Sequence, residues 1–299
     1  MRRVTVTVPA PTSDLGVGWG SLALALGLHN TLELSLLPEG KPGVQGYLPA
    51  ESEAIILRAV EAVFKAAALP IPPINARGHS NIPPERGLGD RSAWLVGGIF
   101  GANNLLDVPM RREKLVEIAF GLAERPIEVV SAVFGGLTLA ATGEPILYRG
   151  IALTKPFSVV LFAPTLPAYR ARALELLPDI THPKASGALA SRIGRASLAA
   201  EALRTADLAL LDAVTQPDRL SAPLYGLIPD WEKVLTSLRS AGAGAVTLTG
   251  IGPALIAFTK SSPETLQRAG LQAFERAQIP VRAYSLPIDT QGVAISVTR

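Results

Sequence analysis

Apolar and polar residues alternate through the opening segment "RRVTVTVPA", a period of two that predicts a first strand. "GLHNTLELSLL" (27–37) predicts another. Over 51–68, "ESEAIILRAVEAVFKAAA", the apolar spacing lengthens to that of a helix, and acids in the first turn suit the helix dipole. "PINARGHSNIP" reads as extended and leads into a glycine-bearing loop. Three helices are predicted after it, over 92–106, 111–123 and, more briefly, 127–134. "GGLTLAAT" and "FSVVLFAP" predict strands, the second apolar enough to be buried on both faces. A largely helical stretch covers 169–213, and a further helix starts near Asp230. The tail, through "GAVTLTGIGPALIAFT", "PETLQRAGLQAFERAQ" and "GVAISVT", predicts strand, turn, strand, helix, strand. Strands and helices mixed without regular βαβ alternation predict an α+β fold, with mixed sheets packed against helices. A compositional shift near Pro156 divides the chain into an N-terminal lobe, 1–155, and a C-terminal α+β lobe, 156–299.

Composition narrows the function classes. With 299 residues, 48% hydrophobic and 18% charged, the chain is globular and long enough for a sizeable core. It has no cysteine, which excludes disulfides, thiolate metal sites and cysteine nucleophiles. His29, His79 and His182 are scattered without zinc-site spacing, and no G-x-S-x-G elbow supports a serine hydrolase. The formal charge of +3 suits anionic small molecules, but no dense Lys/Arg block tracks a nucleic acid. Proline interrupts the most apolar stretches short of the roughly 18–20 residues of a membrane span. "MRRV" runs into a strand and not into a signal-peptide core, so a cytoplasmic protein is expected.

Four glycine-bearing stretches are the candidates for chemistry. They are "VPAPTSDLGVGWGSLALAL" (8–26), "NIPPERGLGDRSAWLVGGIFGANN" (81–104), "ERPIEVVSAVFGGLTLA" (124–140) and "VTLTGIGPALIAF" (246–258). The second places a glycine turn directly before a helix, where backbone N–H groups and the helix dipole favour an anion. It lacks a Walker A lysine and the full dinucleotide-fold spacing.

Taken in order, the four resemble the GHMP family of small-molecule kinases, and within it the homoserine kinases. The family's V-P-A-T-S-A-N-L-G-P-G-F-D is matched by 8–20, and its phosphate loop I-P-x-x-R-G-L-G-S-S-A-A by 82–93. E-G-H-P-D-N-V…G-G-L corresponds to 124–137, and L-S-G-x-G-P-T to 248–254. "DRLSAPLYGLIPDW" and "LPIDTQGVAIS" extend the resemblance over nearly the whole chain. It implies a two-lobed fold with ATP between the lobes, and transfer of phosphate to the hydroxyl of homoserine or a related small hydroxy compound. Pro83, Arg86, Gly87, Leu88, Gly89, Asp90, Arg91 and Ser92 would form the nucleotide loop. Glu124 falls at the family's magnesium-binding glutamate, so Mg2+ is implied with ATP. Arg195 matches an arginine that contacts the substrate carboxylate; Asp14, Gly250 and Gly252 border the same site. Such families often form homodimers. No catalytic residue is assigned.

The departures fall on functional positions. Asp90 and Arg91 replace two serines, Gly20 an aspartate, Ile127 and Glu128 an Asp-Asn pair, Ser221 and Tyr225 a histidine and an arginine, and Arg192 an asparagine. Asp90 could cap the helix, taking N–H donors from a phosphate, or ligate a metal while Arg91 clamps phosphate. Two function classes follow: an active kinase, or a GHMP-fold paralogue that has lost catalysis and serves as a metabolite-binding or scaffold protein.

Overall fold

Two long antiparallel strands, β1 (Arg3–Ser13) and β2 (Leu22–Leu36), carry the first sheet, and their register shifts at a bulge between Pro9 and Ala10. The computed structural model describes residues 2–177 and 186–298, so His182 and part of the helical stretch predicted over 169–213 lie outside the described residues. β3 (Gly43–Tyr47) and β4 (Pro73–His79) pair in parallel, with α1 (Ala50–Ala66) as their crossover. α1 buries Ile56, Ala59, Val60, Val63 and Phe64, a helical stripe that faces the core. Next come α2 (Asp90–Asn103), α3 (Arg112–Leu122) and α4 (Pro126–Phe134), then β5 (Leu137–Ala141) and β6 (Leu147–Ile151). α2 is buried on nearly every side, and its Gly98 lets the Ala59 side chain of α1 approach closely.

The second sheet begins with β7 (Ser158–Pro164). It is followed by α5 (Tyr169–Glu175), α6 (Ser186–Thr205), α7 (Leu208–Thr215), the single turn α8 (Ala222–Tyr225) and α9 (Trp231–Ser240). β8 (Ala245–Leu248), β9 (Leu255–Thr259), α10 (Pro263–Arg276), β10 (Val281–Leu286) and β11 (Ala294–Thr298) complete the chain. The strand order is β11-β1-β2-β4-β3 in the first sheet, with β5 and β6 branching from β2, and β10-β7-β9-β8 in the second. The fold is α+β, as expected. β7 is buried on both faces: Val159 and Leu161 join the larger core, while Val160 and Phe162 join the core of the second half. β11 lies beyond the compositional shift at Pro156 yet pairs with β1, so the first sheet draws strands from both ends of the sequence. No described helix is long and apolar enough to cross a membrane.

Candidate functional site

The loop between β4 and α2 is shaped by glycines in the left-handed region. Gly87 has φ of 73° and Gly89 has φ of 68°, conformations that side chains disfavour. Space reinforces the requirement, since a Cβ on Gly87 would sit 2.2 Å from the carbonyl oxygen of Thr249. The loop therefore packs against the late turn from the second half of the chain. The Arg86 carbonyl accepts from Ala254 N–H at 3.3 Å and from Thr249 Oγ1 at 3.4 Å, and Gly250 N–H donates to the Ser13 carbonyl at 2.7 Å. The first and fourth glycine stretches thus meet the second at the N-terminus of α2, and the third joins them through Glu128, which accepts from Ser13 and Ser92.

A cavity of about 430 Å³ opens at that terminus. Gly87, Gly89, Asp90, Arg91, Ser92, Glu124 and Gly250 line it, together with Arg58, Arg125, Glu128 and Arg170. Pro83, Arg86 and Leu88 shape the loop from behind, with Leu88 buried in the core. Asp90 is buried, and backbone N–H groups of Glu85 and of Asp90 itself donate to its carboxylate. Burial and the neighbouring Glu128 raise its pKa to about 6. Arg91 turns outward and pairs with Glu124 at 2.8 Å; Arg170 approaches the other Glu124 oxygen at 3.8 Å.

Glu128 is the centre of a buried network. Proline at the first position of α4 suits helix initiation, and Glu128 sits in its first turn, three residues after Arg125. Its carboxylate accepts from Ser13 Oγ at 2.8 Å and Ser92 Oγ at 2.7 Å, and Arg125 Nε lies 3.2 Å away. Burial pushes the Glu128 pKa up, against the guanidinium and the two hydroxyls. Arg125 also donates to Asp14, whose second oxygen accepts the Gly20 N–H. Burial works against the charge on Arg125, but Asp14 and Glu128 outweigh it and hold the guanidinium protonated.

A second cavity of about 260 Å³ adjoins the first, and both are lined by Glu124, Arg125, Gly250 and Ile251. Trp19, Ile127, Leu224 and Leu248 give it apolar walls; Asp14, Arg192 and Ser221 give it polar ones. Arg192 is buried, paired with Asp218 at 2.7 Å, and its guanidinium carbon stands 4.9 Å from the centre of the Trp19 ring. The structure does not bring Arg195 to this cavity. Its nitrogens donate to the carbonyls of Val214 and Gln216 and to Asp218, which anchors α6 to the segment after α7. Gly252 also stands behind the cavity, under the Tyr169 hydroxyl. Tyr225 is fully buried, and its hydroxyl accepts the Leu248 N–H.

Sequence reasoning placed the loop, Glu124, Asp14 and Gly250 together, and the structure does the same. It overlooked the roles of Ser13, Arg125, Arg170 and Asp218. The one available signal was the three-residue spacing of Arg125 and Glu128 at a helix start.

Comparison with known proteins sets this geometry in a family. Residues 54–136 match the N-terminal domain of the GHMP kinases, and 199–276 match their C-terminal domain. A homoserine kinase from Moorella thermoacetica is 32% identical, covering 97% of this chain and 99% of that protein. The chain belongs to the GHMP kinase family. A homoserine kinase from a Synechococcus strain is 30% identical over 97% of this chain and 95% of its own. The crystal structure of homoserine kinase from Cytophaga hutchinsonii has a TM-score of 0.86 at 18% identity, covering 98% of this chain and 97% of that one, a likeness of fold. In this member of the GHMP kinase family, Asp90 lies beside Arg91 and Glu128, which pair in turn with Glu124 and Arg125.

Proposed function

We propose that this chain is an ATP-dependent kinase that phosphorylates the hydroxyl of homoserine or a closely related small hydroxy acid. The observation that carries this reading is the junction of the two cavities. An anion cradle at the start of α2 opens, through Glu124, Arg125, Gly250 and Ile251, onto a pocket sized for a small amphiphilic molecule. Full-length similarity to homoserine kinases supports the substrate class. Phosphoryl transfer is chiefly positioning and charge neutralisation, so aligned pockets with fixed dipoles are the parts it needs. The triphosphate would lie on the first-turn N–H groups of α2, with Arg91 and Arg170 beside it. The acceptor would lie against Trp19 and Ile127, its carboxylate directed to Arg192, which Asp218 holds in place.

Asp90 favours a second reading. Its carboxylate occupies loop N–H groups within the cradle, which suits a chain that binds a metabolite without turning it over. One experiment separates the two. Thermal melting is followed with millimolar ATP, then with homoserine, beside a coupled assay for ADP release. The kinase reading expects nucleotide to raise Tm through linkage and ADP to appear only with the acceptor. No shift with ATP would sink it; a shift without turnover would favour the binding protein.

A further inference from the structure

The carboxylates around the nucleotide cradle are poor metal ligands as they stand. Both oxygens of Glu124 face guanidinium groups, Arg91 at 2.8 Å and Arg170 at 3.8 Å. Both oxygens of Glu128 accept serine hydroxyls, and Arg125 stands beside them. Asp14 is shared between Arg125 and the Gly20 N–H, and Asp90 is bonded within the loop. Among the described residues, no three His, Asp or Glu side chains group into a cation site. Magnesium requires near-octahedral oxygen ligation through one or two free carboxylates, and a guanidinium in the same space repels it. The donor set does not fit the divalent cation that the family resemblance implies.

We propose that Arg91 and Arg170 neutralise the triphosphate in place of a protein-held divalent cation. Arg91 is the second residue of α2, so it stands at the end of the helix where the N–H donors and the positive dipole already favour an anion. Its pair with Glu124 engages a single nitrogen, Nη2, of a guanidinium whose side chain is about half exposed, at 48%. An incoming phosphate therefore takes charge-assisted hydrogen bonds from the other guanidinium nitrogens of Arg91 while Glu124 stays paired. The pairs with Glu124 hold both arginines at the lining of the cavity. This inference rests on nucleotide binding as proposed above.

The test is ATP titration by calorimetry of the full chain in two arms, excess EDTA and excess magnesium chloride, with Arg91→Ala and Glu124→Gln compared to wild type. The expected result is ATP binding in EDTA at least as tight as in magnesium. Arg91→Ala should weaken it roughly tenfold or more, and Glu124→Gln should leave it unchanged or tighter. Arg91 is exposed, so its loss leaves the fold intact, which the melting curve of the variant verifies. Binding tighter in magnesium by on the order of tenfold, with Glu124→Gln abolishing that advantage, would overturn the inference and leave the kinase reading standing. Unchanged or improved binding by Arg91→Ala would overturn it equally. Absence of ATP binding in both arms would overturn nucleotide binding itself and this inference with it.

Discussion

Asp90→Asn isolates the buried charge at the start of α2. The folded protein holds the Asp90 proton up to about pH 6, whereas an ordinary aspartate releases it near 3.8. Between those values the folded state binds more protons than the unfolded chain, so stability falls as pH rises, and above about pH 6 the whole penalty is present. At about 1.4 kcal/mol per decade, the gap corresponds to about 3 kcal/mol. Asparagine keeps the shape and one acceptor oxygen for the Glu85 N–H but removes the charge. Its NH2 group cannot replace the second acceptor, so the net gain at pH 7.5 should be about 1–2 kcal/mol. Urea denaturation of both proteins from pH 4 to pH 8 reads this directly. The advantage of Asp90→Asn should grow through pH 4–6 and then level off, the neighbouring Glu128 adding to it by raising the Asp90 pKa. An asparagine variant less stable at pH 7.5, or an advantage that does not change across the range, would refute the argument.

Three further outcomes follow from the same geometry. Gly87→Ala combines a left-handed φ with a Cβ driven 2.2 Å from a backbone oxygen, and denaturation should show a loss of about 2–4 kcal/mol. The two arginines on α6 should separate in steady-state kinetics. Arg192→Gln should raise KM for homoserine roughly tenfold or more with little effect on KM for ATP, whereas Arg195→Gln should chiefly lower Tm. For Asp289, burial opposes ionisation, but His29 at 2.7 Å and the N–H groups of Gln291 and Gly292 hold its carboxyl below the ordinary value. Its stabilisation is therefore present above the ordinary aspartate value and lost as pH falls through the depressed one. Asp289→Asn should be destabilised by about 1–2 kcal/mol at pH 7, and the difference should vanish in acid-titration curves below that depressed value.

The elements legible in the sequence are those whose burial leaves a period. β1, β2 and α1 announce themselves because one side of each meets the core, and β7 because both sides do. β3, β6 and β10 escaped reading for the opposite reason. "GVQGY" and "LYRGI" are mostly exposed and "VRAYSL" alternates only weakly, so ladder hydrogen bonds hold these strands with little apolar patterning to betray them. At the site, glycines were informative because backbone conformation and close packing demand them at Gly87 and Gly89. The charged network was not, because pairing of Arg125 with Asp14, or Arg91 with Glu124, depends on segments far apart in sequence. Arg195 shows the same gap from the other side: an arginine at a matching position whose hydrogen bonds turn it into a brace.

β1 and β11 lie far apart in the sequence and share one ladder, Arg3 opposite Thr298 and Thr7 opposite Ala294. On the ribosome β1 is made well before its outer neighbour, with every other strand of the sheet in between. Until β11 is made, the first sheet presents an open strand edge along β1, the surface that invites pairing between chains. A nascent chain halted before Ala294 is therefore the form most in need of a chaperone, and a fragment ending at 155 inherits the same exposed edge. Synthesis of β11, five residues that line neither cavity, is what closes the sheet.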